Sequence, residues 1–364
     1  MVLEFRDIRQ GELYRSKEFE MSEFLRSYGV KTSHIRAEES GAFSYYYIRL
    51  LPGTKYSKLD GLLFDIGMHF KAISIPTGKM SLELGCYKLS IQTKPLASEQ
   101  PHNIPGTIPV GCYAPFFLGT SHDEPIVRDM SKMPNMIIAG SSGSGKSSLL
   151  HSIAISAMRY GAMLYISDPK MVEFSEYKDF RYTNCLVSDY AETLGELDSL
   201  INIMNKRFAI LKKRGVRSAA ELALRNKTNE VMQPIIFIID EWADLSLQGK
   251  EISQKLLQLS QKGRASGISI VLATQHPSAN IISSAIKANF PGRVALRTAN
   301  AAASRMIIGK NGAEGLYSPG QGFLRDYNTD EPIYFQAPLV SSPKEEAAKC
   351  GLKTKKSFLK SIFK

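Results

Sequence analysis

The sequence predicts an α/β chain: a parallel sheet covered on both faces by helices, preceded by a small α+β module. Three observations carry that prediction. Short apolar runs at 134–140 (PNMIIAG), 162–168 (AMLYISD), 234–240 (PIIFIID), 268–274 (ISIVLAT) and 292–297 (GRVALR) alternate with helical stretches. Continuous apolar strands separated by helices belong in a sheet buried on both sides. Residues 1–95 lack this texture, and residues 94–115 hold five of the chain's 17 prolines, a density that marks a linker.

Taken in order, residues 1–37 are polar and basic with one helical candidate, which Ser16 is expected to cap and whose apolar side is Phe19, Phe24 and Leu25 up to Gly29. FSYYYIRLL (43–51) reads as an aromatic strand and Pro52-Gly53 as a turn. Leu59, Leu62, Leu63, Ile66 and Phe70 recur at helical spacing, and strand-like runs follow at 71–75 and 81–92. The expected organisation is therefore a small α+β subdomain (1–95), a Pro-rich linker (96–118), an α/β domain (119–340) and a tail (341–364). From Lys344 onward the chain has seven Lys and two Glu in 21 residues.

The 364 residues carry 46 Lys and Arg against 35 Asp and Glu, a net charge of +11. That excess favours a polyanionic partner, nucleic acid or an acidic membrane face, without choosing between them. Ordinary globular composition excludes a disordered chain. Cys86, Cys112, Cys185 and Cys350 fit no CxxC pattern and read as buried thiols in a reducing compartment, and no two histidines stand at i, i+4. No apolar run reaches the ~18 residues of a membrane span, and MVLEFRDIRQGELYR has no signal-peptide core. The expectation is a cytoplasmic protein, at most peripheral to a membrane.

Gly140-Ser141-Ser142-Gly143-Ser144-Gly145-Lys146-Ser147 matches G-x-x-x-x-G-K-[ST], with a strand entering it and a helix leaving it from Ser148. Such a loop wraps backbone N–H groups around phosphates at a helix N-terminus. Lys146 is expected to reach the β- and γ-phosphates of ATP, and Ser147 to offer its hydroxyl to Mg²⁺; the whole stretch from Gly140 to Ser148 is expected to contact the nucleotide. PIIFIIDEWADL ends an apolar strand in Asp240 and Glu241. Two acids at the end of a buried strand suit a water-mediated Mg²⁺ ligand, Asp240, and an activator of the attacking water, Glu241. VLATQHP ends a neighbouring strand in Gln275, where related ATPases place a γ-phosphate sensor. Arg264, in QKGRASG, is expected to follow the helix KEISQKLLQLSQ; it either satisfies carbonyls at that helix end or is an arginine finger supplied in trans.

With DEWAD, QKGRASGISIVLATQHPS, IKANFPGRVALR, SDPKMVEFSEY, RFAILKKRGVRS, ASRMIIGKNGAEGL and PGQGFL in order around this loop, residues 20–340 resemble the FtsK/SpoIIIE family of hexameric double-stranded-DNA translocases. YYYIRLLPGTKYSKLDGLLFDIGMHF resembles the family's α subdomain, which stacks on a RecA-like β motor. The resemblance implies that Lys146 and Ser147 hold ATP and Mg²⁺, that Asp240 and Glu241 are the Walker B pair with Trp242 where Phe is usual, that Gln275 senses the γ-phosphate, and that Arg264 acts in trans. It also brings Arg305 near the nucleotide. Membrane helices and a winged-helix γ domain, frequent in relatives, are not expected here.

A ring motor grips duplex through phosphates, for which Lys212, Lys213, Arg214, Arg217 and Lys287 are the candidates; singly, each also reads as a solvated basic face. In KTKKSFLKSIFK (353–364), Phe358, Leu359, Ile362 and Phe363 share a helical face opposite lysines. This segment reads as a membrane- or partner-binding helix or as a disordered tail. The expected function is ATP-dependent translocation of double-stranded DNA by a hexamer, in plasmid, mobile-element or phage transfer rather than septal segregation. A protein-secretion motor and a nucleotide-gated coupling adaptor are the alternatives.

Overall fold

The computed structural model describes residues 5–40, 43–72, 76–81, 85–93, 111–121, 124–225, 232–317, 319–326 and 331–355. They fall into two compact units, Met1–Glu99 and Gln100–Lys364.

The first unit runs α1 (Phe5–Ser27), β1 (Thr32–Ser40), β2 (Phe43–Leu50), α2 (Ser57–Gly61), α3 (Leu63–His69), β3 (Thr77–Ser81) and β4 (Cys86–Gln92). Its four strands form an antiparallel sheet in the order β1-β2-β4-β3. Alternation buries Ile35 and Ala37 of β1 beside Tyr46, Ile48, Leu89 and Ile91, and Met21 and Leu25 close that core. Five features differ from the sequence expectation. α1 begins at Phe5 rather than at Ser16, because the Arg, Glu, Gln and Leu that precede Ser16 are good helix formers. Phe19 is 68% exposed, and Met21 takes the inward position. β1 was not foreseen. The expected helix over 59–70 is two short ones broken at Leu62. Of the strand expected at 71–75, residues 73–75 lie outside the described residues, and Lys71 is in a left-handed conformation.

The second unit contains β5 (Pro115–Ser121), β6 (Glu124–Asp129), β7 (Asn135–Ala139), α4 (Lys146–Arg159), β8 (Met163–Ser167), β9 (Thr183–Val187), α5 (Tyr190–Arg214), α6 (Ala219–Arg225), β10 (Ile235–Ile239), α7 (Trp242–Ser246), α8 (Lys250–Ser266), β11 (Ile268–Thr274), α9 (Ser284–Asn289), β12 (Gly292–Leu296), α10 (Ala301–Ile308), β13 (Gln321–Arg325), β14 (Ile333–Gln336) and α11 (Pro343–Lys349). Ten strands form one sheet in the order β6-β5-β14-β13-β12-β7-β11-β10-β8-β9. From β12 to β9 all neighbours are parallel, and from β13 to β6 all are antiparallel. The five apolar runs of the sequence are the strands β7, β8, β10, β11 and β12, in a helix-covered α/β sheet.

α4 lies almost wholly in the core: Leu149, Leu150, Ile153, Ala154, Ile155 and Met158 are all fully buried. At about 1.5–3 kcal/mol for each large aliphatic side chain, that burial anchors the helix that opens the Gly-rich loop. α5 starts at the N-cap Asp189, which accepts from the Glu192 amide at 2.7 Å, while Glu192 accepts from the amide of Ser188, just before the cap, at 2.9 Å. It buries Leu197, Leu200, Met204 and Leu211 and ends at left-handed Gly215.

Three expectations are corrected. Residues 115–118, expected in the linker, are β5, with Phe116 and Leu118 fully buried; residues 96–110 of that linker lie outside the described residues. Residues 343–349, expected as tail, form α11, capped by Ser342, and Ala347 joins the core. Residues 356–364 lie outside the described residues. Only Cys86 is buried outright; Cys112, Cys185 and Cys350 are half-buried.

Candidate active site

Parallel strands deliver their chemistry at their carboxyl ends. β7 ends in the Gly-rich loop, β10 in Asp240 and Glu241, β11 in Thr274 and Gln275, and β8 in Asp168, so one edge of the sheet gathers all of them.

The loop closes on Gly145, at φ +94°, where a Cβ would stand 2.6 Å from the Gly320 nitrogen. Only glycine meets both demands. The Gly320 amide donates to the Ser144 carbonyl at 2.8 Å, and Ser141 donates through its amide and its hydroxyl to the Arg297 carbonyl at 2.8 and 3.0 Å. α4 then starts with no side-chain cap. The first N–H groups of a helix need acceptors, and its dipole favours an anion there. The Ser144 hydroxyl, buried and without a hydrogen-bond partner among the described residues, adds an orphaned donor. Uncapped amides, an orphaned hydroxyl and a lysine suit a polyphosphate.

Lys146 is the first helical residue. Its side chain is only 7% exposed, and its Nζ donates to Asp240 Oδ1 at 2.9 Å and to the Asp240 carbonyl at 2.8 Å. The basic and acidic halves of the expected site are therefore in direct contact. Glu241 is also buried. It accepts from the Thr274 hydroxyl at 2.6 Å, from the Gln275 amide at 3.0 Å and from the Ala243 amide at 3.3 Å. Gln275 meets Glu241 through its backbone, and its side-chain amide makes no hydrogen bond among the described residues. Trp242 is buried and donates through Nε1 to the Ile281 carbonyl at 2.9 Å. The Ser148 hydroxyl is engaged elsewhere: it donates to the Pro338 carbonyl at 2.7 Å and accepts from the Val340 amide at 2.6 Å, which leaves its backbone amide for a nucleotide contact. It ties the loop helix to the strand-end segment after β14.

Sequence reasoning assigned no role to Asp168, His151, Glu173 or Thr274. Asp168 is fully buried and accepts from the amides of Lys170, Glu173 and Phe174 at 3.0–3.2 Å, which fixes the loop after β8. That loop brings Glu173 beside Ser147 and Lys146. His151 stands one helical turn after Ser147, with Nδ1 3.0 Å from the Tyr177 hydroxyl and Nε2 3.8 Å from Glu173 Oε2. The His151 contact, then Ser147 and Lys146, hold the Glu173 carboxyl below its usual pKa against the opposing effect of burial. A signal was available for Asp168: AMLYISD ends an apolar strand in an acid, as PIIFIID does.

Arg264 lies in the last turn of α8, which continues through Gly263 to Ser266 before left-handed Gly267 ends it. The helix runs five residues past its expected end at Gln261 because Gly263, lacking a Cβ, lets the turn pack against the Ile268 carbonyl. The side chain is exposed and donates through Nε to the Ser131 carbonyl at 3.0 Å. Ser131 precedes β7 and Gly267 precedes β11, so Arg264 sits at the amino end of the sheet. The seven residues of β11 separate it from Gln275 by about 20 Å at ~3.3 Å per residue. Arg305 is exposed on α10 and donates to Asn311 Oδ1 at 2.6 Å.

Lys212, Lys213, Arg214 and Arg217 are exposed where α5 ends. Buried Arg207 donates to the Ser266 carbonyl at 2.8 Å and to the Gln233 carbonyl at 2.7 Å, which joins the ends of α5 and α8. This basic group shares the Arg264 end of the sheet. Lys287 is half-buried, its Nζ 3.4 Å from Met306 Sδ. No helix among the described residues is long and apolar enough to cross a membrane.

A RecA-like sheet with this loop, a buried Lys–Asp pair and a glutamate at the next position defines a P-loop ATPase. Residues 112–279 match the FtsK/SpoIIIE family. DNA translocase FtsK of Streptococcus pneumoniae (strain ATCC BAA-255 / R6) is 30% identical over 352 residues, covering 90% of this chain and 45% of that protein. DNA translocase FtsK of Lactococcus lactis subsp. cremoris (strain MG1363) is 31% identical over 346 residues, covering 90% and 46%. The chain thus spans less than half the length of these curated relatives. The structure of the pCW3 conjugation coupling protein TcpA, in monomer form with ATPγS, has a TM-score of 0.63 at 20% identity and covers 87% of this chain and 92% of that one. The cytoplasmic domain of the Thermomonospora curvata type VII secretion ATPase EccC has a TM-score of 0.56 at 21% identity, covering 67% and 30%. Over residues 112–279 the chain belongs to the FtsK/SpoIIIE family.

Proposed function

We propose that the chain hydrolyses ATP to ADP and phosphate to translocate double-stranded DNA, as a head-to-tail ring of six protomers. The observation that carries the reading is the split of the hydrolytic set between the two ends of one sheet. Lys146, Asp240, Glu241 and Gln275 gather at the carboxyl end, and Arg264 lies about 20 Å away at the amino end. A neighbour that presents its amino end to this carboxyl end completes the site, and repetition of such a heterologous contact closes a ring.

In that site the loop amides and Lys146 bind the phosphates; Ser147, and Asp240 through water, would hold Mg²⁺, which when bound would supply positive charge to the phosphoryl group. Glu241 takes a proton from the attacking water, and Gln275 meets the γ-phosphate through its free side-chain amide. Lys212, Lys213, Arg214 and Arg217 contact duplex phosphates; half-buried Lys287 is the weakest of the candidates. Curated relatives at about 30% identity are DNA translocases, and a net charge of +11 agrees with that cargo. Plasmid or mobile-element DNA is the cargo we favour, since the fold also matches that of a conjugation coupling protein over 87% of the chain. The segment 353–364 recruits the motor to a membrane surface or a partner.

The test is ATPase rate with and without long linear duplex at rising salt. Strong stimulation that fades with salt is expected, and each Lys or Arg removed from the α5 end should lower the log–log salt slope by about 0.9. Sound basal hydrolysis that duplex leaves unchanged would reject DNA as cargo and favour protein secretion, the function named for EccC.

A further inference from the structure

The sides of the Gly-rich loop are unequal. On one side β11 and β10 bring Gln275, Asp240 and Glu241, which marks where the γ-phosphate lies. The α-phosphate, ribose and base of a nucleotide therefore extend toward the other side, over β12, β13 and β14. There two segments are built against the loop. Gly320 donates to the Ser144 carbonyl, and Ala337 donates to the Gly320 carbonyl at 2.7 Å, so the chain at Gly320 and the chain at Ala337 are hydrogen-bonded neighbours. Ser148, one turn after Ser144, is bonded to both Pro338 and Val340.

From these two segments Tyr317 and Leu339 project into solvent, 76% and 68% exposed. Among the described residues of the second unit, the other large hydrophobics more than two-thirds exposed are Val172 and Leu247, both on the Lys146–Asp240 side of the loop. A tyrosine and a leucine are costly to leave in water, and they flank the residues that hold the polyphosphate.

We propose that Tyr317 and Leu339 form the nucleobase subsite of this chain, with the base stacked on the Tyr317 ring and the Leu339 side chain against the base or ribose. The inference rests on the P-loop reading above and adds the base to it. The amide side chains of the two strands are held against the segment backbone: Gln321 accepts through Oε1 from the Tyr317 amide at 2.9 Å, and Gln336 donates through Nε2 to the Pro319 and Ala337 carbonyls at 3.0 and 3.2 Å. The subsite therefore reads a flat aromatic face rather than base edges. Purine nucleotides should bind alike, ATPγS and GTPγS within a few-fold.

The experiment is calorimetric titration of the full chain with Mg-ATPγS, Mg-GTPγS and Mg-tripolyphosphate, for wild type, Tyr317→Ala, Tyr317→Phe and Leu339→Ser. Tyr317→Ala should weaken ATPγS about tenfold or more, the loss of one stacked base, and leave tripolyphosphate unchanged. Tyr317→Phe should bind as wild type, and Leu339→Ser should fall in between. Unchanged ATPγS affinity in both Tyr317→Ala and Leu339→Ser overturns the proposal. So does equal weakening of ATPγS and tripolyphosphate, which would mean a distorted loop. Wild type that binds neither overturns the P-loop reading itself.

Discussion

Removing Lys146 should unfold the motor more easily as well as abolish nucleotide binding, because its ammonium is the counter-charge of a buried carboxylate. Both side chains are under a tenth exposed, and Nζ makes two bonds of 2.8–2.9 Å to Asp240. Lys146→Met keeps the aliphatic stem and removes the charge, leaving Asp240 buried and unpaired. Breaking one partner of such a pair costs about 3–5 kcal/mol, whereas replacing both is close to neutral. Lys146→Met should therefore lose that amount, and Lys146→Met with Asp240→Asn should recover most of it while still failing to bind ATPγS. The coupling between the two sites should exceed about 2 kcal/mol. Trp242 is the chain's single tryptophan, buried two residues from Asp240, so its fluorescence during urea unfolding reports the motor unit alone. At an m-value of ~3 kcal/mol/M, the single variant's midpoint should fall by about 1 M or more. A Lys146→Met protein that unfolds at the wild-type midpoint, or a double variant no better than the single one, would refute the reasoning.

Glu241→Gln should keep ATPγS bound and slow turnover by about 10²–10⁴-fold; steady-state hydrolysis beside equilibrium binding separates the two, and normal turnover would remove Glu241 from the chemistry. Arg264→Ala should lower hydrolysis by on the order of 10³ with nucleotide affinity kept, and mixing it with Glu241→Gln subunits should restore some activity through sites that pair an intact Glu241 with a neighbour's intact Arg264. Rates in the mixtures no higher than in either variant would deny action in trans. Glu173 has a depressed pKa, so the stability it contributes is present above its unfolded value, near 4.5, and is lost as pH falls through the lower folded value. Glu173→Gln should be less stable than wild type at pH 7 and converge with it under acid, as followed by Trp242 fluorescence; a constant difference across pH would refute the His151–Glu173 account.

The parts of the fold legible in the sequence were those where one physical demand dominates. β7, β8, β10, β11 and β12 lie inside a sheet covered on both faces, so each is an unbroken apolar run and stands out at five to seven residues. β13, QGFLR, has five residues like most of those strands but is flanked by Gln and Arg, and β14, IYFQ, has only four residues, so neither makes an unbroken apolar run of that length. β5 was masked by the proline at its first position, a place where a strand tolerates proline because no ladder donor is needed there. The Gly-rich loop was legible because its spacing is set by the backbone's need to surround an anion. Asp168 was not, although it too ends an apolar strand. Its work is to bind three amides of its own loop, and that work places Glu173, two steps removed from any pattern in the string of residues. The Ser148 hydroxyl shows the opposite limit: adjacency to Ser147 suggests a shared partner, while helical geometry turns that hydroxyl a further 100° round α4 onto Pro338 and Val340 and leaves its first-turn amide as the group that can face a phosphate.

On the proposed reading, one rigid connection links DNA grip to the hydrolytic trigger. Arg207 is a guanidinium buried to 6% exposure, and burial pulls its pKa down from its ordinary value. A buried charge persists only where its hydrogen bonds are met, and here the carbonyls of Ser266 and Gln233 meet them. Those carbonyls belong to the end of α8 that carries Arg264 and to the entry of β10, which carries Asp240 and Glu241 at its far end. The side chain that spends itself on them sits five residues before Lys212. Displacement of the basic end of α5 by a duplex therefore moves the Arg264 turn with it, since neither helix can slide without stranding the guanidinium. The two roles that the sequence assigned to separate motifs, phosphate grip and trans arginine, fall on a single body at one end of the sheet. A head-to-tail neighbour would receive both at once, which makes duplex-stimulated hydrolysis a mechanical consequence of the packing of α5 on α8.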